Sequence, residues 1–362
     1  MDQQLSTMMR RTPSSSRVGA LVPLKLACFG VLAGLACAIV VAKAQQTVLL
    51  EPVVRPGVAA VAEAFADYHL VALGEAHRNQ QIHDFIVMLV RDRRLLPSGG
   101  DIVVEFGNAR YQAVMDRYIA GDPVATVDVE QVWRDAMNIL VWDAPVYARF
   151  FATVRSVNQT RPAPTRLRVL LADPPIDWST IHDQASWERF VDIRDTHAAD
   201  VIEREVLAKG HRALLIFGGG HVEREKAFDA FGPPKHPRLA NLAELLEAHH
   251  PGATLLVWPH MAGWMTSELD PRLARWPRPA LARLKGTWLG AAHVGPPLGT
   301  PRLEDLADAF LYLGPTTSLT NSKPSPEIYR DTAYLRELLR RNAIQGGANT
   351  AELEGLAAMY LK

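Results

Sequence analysis

The sequence predicts an α/β protein: a mostly parallel central sheet flanked by helices, with a helical insertion. Three observations lead there. Short apolar runs recur along the chain without polar alternation, as strands buried on both faces do. Segments with helical apolar spacing separate several of them. The ends of five successive runs carry a carboxylate or an imidazole, and their starts show no comparable series.

The runs are His69–Leu73, Asp101–Glu105, Leu167–Ala172, Ala213–Phe217 and Thr254–Trp258, with Ala309–Leu313 as a sixth candidate. Between the first two, Ile82, Phe85, Ile86, Leu89 and Val90 fall on one helical face, and Arg91, Arg93 and Arg94 follow where cations suit a helix C-terminus. This is one βαβ unit. Residues 108–160 carry further helical pattern, anchored by Trp133, Met137, Tyr147, Phe150, Phe151 and Val154, and read as an insertion over the sheet. The stretch 271–299, rich in proline and glycine, reads as an irregular flap. Residues 325–362 read as a helical extension with Leu335, Leu338 and Leu339 on its apolar face.

The 362 residues are 48% hydrophobic, enough for a sizeable core, and lysine plus arginine balances aspartate plus glutamate at 39 each. No global field exists to recruit nucleic acid or an anionic membrane. Arg10, Arg11, Arg17 and Lys25 precede the apolar run Leu26–Val41 and the triplet Ala42-Lys43-Ala44. Residues 1–44 therefore read as a secretory signal, with an uncleaved inner-membrane anchor as the alternative, and the protein is expected to be exported. Both cysteines, Cys28 and Cys37, lie inside that segment. The domain from residue 45 has no thiol for a disulfide, a metal or a nucleophile.

In open α/β sheets, ligands bind outside the carboxyl ends of the strands. The first run there ends in Gly74-Glu75-Ala76-His77, the second in Glu105-Phe106-Gly107, the third in Asp173-Pro174-Pro175, the fourth in Gly218-Gly219-Gly220-His221 and the fifth in Pro259-His260. Each residue also has a plainer reading. Asp173 is equally suited to capping a helix, and His260 to packing beside Trp258. His83, one turn into the first helix, faces either the crevice or solvent, and Arg194, Asp195 and His197 sit in a helical stretch where surface ion pairs are common. The three glycines before His221 give up order and packing, and the usual return is backbone access to a ligand or a turn that aims one side chain.

Other chemistries lack their residues. There is no phosphate-binding loop ending in lysine and serine, no glycine-bracketed serine, no zinc-protease histidine pair and no dinucleotide fingerprint. Aromatics at 7% without an adjoining basic cluster argue against nucleic-acid binding.

Leu73-Gly74-Glu75-Ala76-His77 with His83, then Val104-Glu105, Arg194-Asp195 and Gly219-Gly220-His221 follow in an order that resembles the superfamily of erythromycin esterases, ChaN-type haem-binding proteins and Tiki/TraB proteins. The phrases 141–147 and 173–178 look like those of uncharacterised exported members, and the resemblance spans roughly residues 65–315. It implies an α/β fold with the site at the carboxyl edge of the sheet. The esterase branch implies a hydrolytic centre of Glu75, His77, Glu105, Arg194 and His221, and the Tiki branch implies a metal-dependent protease at the same positions. The single residue between Glu75 and His77 departs from the esterase spacing and looks more like the ChaN branch, which binds haem.

The expected function is hydrolysis of an ester or amide in a small molecule or peptide. In its metal-dependent form His77, Glu105 and His221 hold zinc, manganese or cobalt and lower the pKa of a bound water. In its metal-free form His77 takes the proton, oriented by Glu75. The alternative is a haem-binding protein, with Tyr111, Tyr118 and Tyr147 as available ligands.

Overall fold

The computed structural model describes residues 48–224, 239–261, 269–293 and 301–361. The N-terminal signal and residues 294–299 of the expected flap lie outside them. Among the described residues one sheet has eight strands: β1 (Val54–Pro56), β2 (Leu70–Glu75), β3 (Gly100–Asn108), β4 (Leu167–Asp173), β5 (Ala213–Gly218), β6 (Thr254–Pro259), β7 (Ala280–Arg283) and β8 (Ala309–Tyr312). Their spatial order is β1-β7-β8-β6-β2-β5-β3-β4.

β8, β6, β2, β5, β3 and β4 run parallel to one another, while β7 is antiparallel to both β8 and β1. The six parallel strands are those the apolar runs predict. The antiparallel pair escapes a sequence reading, because β1 is three residues long and contains a proline, and β7 is four residues inside the proline-rich stretch read as a flap.

Helices cover both faces. They are α1 (Gly57–Ala64), α2 (Gln80–Arg91), α3 (Gln112–Ala120), α4 (Thr126–Arg134), α5 (Pro145–Thr160), α6 (Gln184–Asp192), α7 (Arg194–Glu205), α8 (Leu242–His249), α9 (Asp270–Leu273), α10 (Leu303–Leu306), α11 (Thr332–Ile344) and α12 (Thr350–Tyr360). Residues 108–160 hold α3, α4 and α5.

In β2, Val71 and Leu73 face the core shared with α1, α2 and the insertion, whereas Leu70 and Ala72 face the core shared with α7 and α8. The period-two alternation thus feeds two apolar layers, which is why the strand reads as an unbroken apolar run. Each such leucine or valine contributes roughly 1.5–3 kcal/mol by leaving water.

α2 starts where the Asn79 side chain accepts the Ile82 N–H at 3.0 Å and ends at Asp92. α11 and α12 form a smaller apolar cluster with Ile139 and Leu140 of the loop after α4. The C-terminal helices therefore pack on the insertion.

β5 lies between β2 and β3, although the chain makes β3 directly after β2. This crossover sets the ends of β2, β5, β3 and β4 side by side, with Glu75 opposite Gly218 in register.

Candidate functional site

Glu75 is the last residue of β2, buried at 2% exposure. Its Oε1 accepts the Tyr147 hydroxyl at 2.6 Å and lies 2.9 Å from His83 Nε2. His83 is there because the Asn79 cap places it one turn into α2, on the buried face. Tyr147 comes from α5, and its oxygen also accepts the Arg78 N–H at 2.9 Å. Burial pushes the Glu75 carboxyl up, but the imidazoles of His83 and His77 outweigh it and hold the group down at about 2.

His77 follows two residues on, with its side chain about one-third exposed (34%). Nδ1 stands 3.7 Å from Glu75 Oε2 and Nε2 stands 4.0 Å from Glu105 Oε1, both longer than a hydrogen bond. The ring meets the edge of Trp142 with centroids 4.7 Å apart. Burial lowers its pKa, and the carboxylates of Glu105 and Glu75 more than offset this, leaving it above the ordinary histidine value.

Glu105 lies within β3 rather than after it, since that strand runs on to Asn108. Oε2 accepts the Gly218 N–H at 2.5 Å. Oε1 faces Arg194 Nη2 at 2.8 Å, His221 Nε2 at 3.5 Å and His77 Nε2 at 4.0 Å. Burial raises this carboxyl too, yet Arg194, His221 and His77 hold it well below the usual range.

Gly218 has a steric reason to be glycine. A Cβ there would lie 2.8 Å from His77 Cε1 and 3.1 Å from Glu105 Oε2.

Arg194, the first residue of α7, bridges two strand ends: Nε donates to Asp173 Oδ1 at 3.0 Å while Nη2 reaches Glu105. Asp173 is the buried last residue of β4 and caps no helix; its Oδ2 accepts the Met137 N–H at 2.6 Å. Burial pushes it up to about 6 against the opposing pull of Arg194 and that N–H. His221 closes the glycine turn after β5, with Nδ1 2.6 Å from Asp195 Oδ1. Burial lowers its pKa, but Glu105 and Asp195 raise it to about 10, so the ring is a cation at neutral pH.

Glu75, His77, Glu105, Arg194 and His221 thus gather at one edge, joined by Asp173 and Asp195. Two buried atoms there, Glu75 Oε2 and His77 Nδ1, have no hydrogen-bond partner on the protein and stand 3.7 Å apart, while Glu105 Oε1 and Arg194 Nη2 meet as an ion pair at 2.8 Å. Each atom without a partner costs about 1–3 kcal/mol and calls for a functional explanation.

His260 does not join the centre. It lies fully buried beside Phe310 and Tyr312, with Nε2 3.0 Å from Asp270 Oδ1, and the plainer packing reading holds. Of the tyrosines, Tyr147 is in the centre but gives its hydroxyl to Glu75. Tyr111 gives its own to Asp135 at 2.6 Å, and Tyr118 lies under the Arg155 guanidinium.

Trp142, Tyr147 and Asp195 are the residues whose roles the sequence does not announce. Trp142 sits on a loop that the C-terminal extension holds. The Tyr334 hydroxyl donates to Asp143 Oδ1 at 2.9 Å, Arg341 pairs with Asp135 at 2.7 Å, and Gln345 Nε2 donates to the Met137 carbonyl at 2.8 Å.

The three residues expected to hold a divalent ion, His77, Glu105 and His221, come together, but their arrangement does not suit one. Glu105 has one oxygen on a backbone N–H, and the other faces the Arg194 guanidinium, whose charge stands where a dication would need the carboxylate. Among the described residues no group of three histidine, cysteine or acidic side chains is disposed to hold a metal ion.

No family model matches the chain, and no curated protein does. Solved structures do. A succinoglycan biosynthesis protein superposes with a TM-score of 0.54 at 8% identity, over 72% of this chain and 91% of its own. An erythromycin esterase variant, EreC in its open conformation, superposes with a TM-score of 0.51 at 10% identity, over 73% of this chain and 94% of its own. ChaN of Campylobacter jejuni, described with cofacial haem binding, gives 0.36 at 14% identity over 57% of this chain and 87% of its own, too loose a match to argue from. At these identities the likeness is one of fold, and the fold is that of the erythromycin esterase structure, whose family the strand-end motifs resemble.

Proposed function

We propose that this chain is an exported hydrolase of an ester or amide bond, working without a metal ion through His77. The observation that carries the reading is a partly exposed imidazole set among buried carboxylates and an arginine, with Glu75 Oε2 and His77 Nδ1 left without hydrogen-bond partners. The EreC fold likeness is consistent with acyl-ester chemistry, and the apolar leader with export.

Glu75, ionised and fixed by Tyr147 and His83, faces His77 Nδ1 from 3.7 Å, where its charge favours the tautomer protonated on that nitrogen, and Nε2 is the base. A water loses its proton to Nε2 as its oxygen adds to the carbonyl carbon. The negative charge passes to the carbonyl oxygen, where the Arg194 guanidinium and the His221 imidazolium stabilise it. When the tetrahedral intermediate collapses, the bond to the leaving oxygen or nitrogen breaks, and that atom takes the proton from His77. The products are an acid and an alcohol or amine. His221 serves as a fixed cation, since a group with a pKa of about 10 does not accept a proton at neutral pH.

The test is hydrolysis of a panel of nitrophenyl esters and short peptides by the purified chain. Activity should survive a chelator and be lost in both His77→Ala and His221→Ala. Unchanged turnover in the two variants would end the reading, and loss with chelator followed by recovery with zinc, manganese or cobalt would restore the metal-dependent form. Haemin added to the same protein should leave its Soret band where it is in buffer; a shifted band would favour the haem-binding alternative.

A further inference from the structure

A cavity of about 770 Å³ opens on the opposite edge of the sheet, at the amino ends of β3, β4 and β5. None of the residues assigned above lines it. Its wall carries Arg94, Arg166, Arg168, Arg212 and His211 against two acids, Glu63 and Asp101.

Both acids are already paired. Glu63 pairs with Arg55 outside the cavity. Asp101, fully buried, holds His211 Nδ1 at 2.9 Å on one oxygen and has Arg168 Nε 3.6 Å from the other. Its burial fixes the His211 and Arg168 side chains in the wall.

The four arginines divide clearly. Arg94 is bound to Asp92, and Arg168 also reaches Glu205 at 3.2 Å. The carbonyls of Leu95 and Leu96 below the cavity are served by Arg161, at 2.9 and 3.2 Å, so helix-end and turn oxygens do not call on the wall. Arg166 and Arg212 are left exposed, with no ion pair or side-chain hydrogen bond among the described residues. Between the cations the wall is apolar: Ala66, Pro97, Ala163 and Pro164 are all exposed there. The volume lies in the range of small-molecule sites rather than of a bare ion.

We propose that this cavity is a second binding site, for a small organic anion with a compact apolar body, an aryl or alkyl phosphate or carboxylate. Arg166 and Arg212 take the anionic group, guanidinium to oxyanion. The alanines and prolines cover the apolar part. The site is independent of the hydrolytic reading, because it shares no residue with it.

Phenyl phosphate and benzoate, titrated calorimetrically into the full chain, separate the two sources of negative charge, with inorganic phosphate and phenol as controls. At least one of the two aromatic anions should bind, and more tightly than either control. Binding should weaken by about tenfold or more in the double variant Arg166→Gln with Arg212→Gln. It should be unchanged in the double variant Arg336→Gln with Arg330→Gln, an equal change of charge away from the cavity, and ester turnover should not alter in any of these variants. Arg166 and Arg212 are both exposed, so thermal midpoints should stay together and show that the fold is intact. No binding by the unaltered chain, equal affinity for inorganic phosphate, or undiminished binding in the variant lacking Arg166 and Arg212 would each overturn the proposal.

Discussion

His221 Nδ1 stands 2.6 Å from Asp195 Oδ1, and the same carboxylate oxygen accepts the Leu242 N–H at 3.2 Å, at the start of α8. One aspartate thus ties the glycine turn after β5 to the helices behind it and keeps the ring charged. Asp195→Asn should leave His221 closer to neutral and lower kcat by roughly 10²–10³-fold, the cost of losing one oxyanion donor, with KM little changed. Steady-state kinetics on an ester identified in the panel, with NMR titration of the ring, checks both halves.

His77 must be neutral to act as a base, and its pKa lies above 6.5 because Glu105 and Glu75 outweigh its burial. Activity should therefore rise with pH through a midpoint above that value. Glu75→Gln removes one of the two charges, so the midpoint should move down while the plateau falls. A midpoint that ignores the substitution would mean that another group is titrating.

Stability should depend on pH from both sides. Glu75 is held at about 2 in the fold against 4.5 ordinarily, so its contribution is complete above 4.5 and lost as the pH falls towards 2. That contribution is on the order of 3 kcal/mol for so buried a group. His221 is raised to about 10 from 6.5, so its contribution is complete below 6.5 and lost as the pH rises towards 10. Asp173, raised from 3.8 to about 6, loses its contribution across that interval as the pH rises. Urea midpoints should fall on both limbs, with Glu75→Gln flattening the acid limb and His221→Asn the alkaline one.

Gly218→Ala should abolish turnover without unfolding the chain. The added methyl meets His77 Cε1 and Glu105 Oε2, and the imidazole, being partly exposed, is the group that can give way. A normal circular dichroism spectrum with kcat down by about 10² or more is the expected outcome, because a misplacement of about 1 Å is enough for such a loss. Full activity would show that His77 need not sit where it does.

Tyr334→Phe should cost about 1–3 kcal/mol, since it leaves the buried Asp143 with only the longer contact from Tyr329 at 3.4 Å. The change should also reach the site, through Trp142, as a lower kcat at constant protein concentration. Tryptophan fluorescence and kinetics on the same sample would report the two effects together.

The six parallel strands and five strand-end groups were legible because burial on both faces writes itself as apolar runs, and polar residues stand out where such runs stop. What the sequence hides is pairing across the chain. Nothing local marks Tyr147 as the partner of Glu75, 72 residues away, or Asp173 as a buried acceptor of the Met137 N–H rather than a helix cap. His260 shows the converse, for it follows a strand just as His221 does, yet β8 and Asp270 enclose it. Whether a strand-end histidine faces a crevice depends on what the neighbouring strand brings, and that is a property of topology.

The contacts from α11 to the loop of Trp142 carry a consequence for biosynthesis. A ribosome has to finish residue 334 before Asp143 gains its nearer hydroxyl, and residue 345 before the Met137 carbonyl gains its donor. A nascent or prematurely terminated polypeptide can hold every acid and imidazole of the centre and still lack the clasp that fixes the tryptophan against His77. The wall of the crevice is thus fastened by a hydroxyl 191 residues further along the chain than the aspartate it holds.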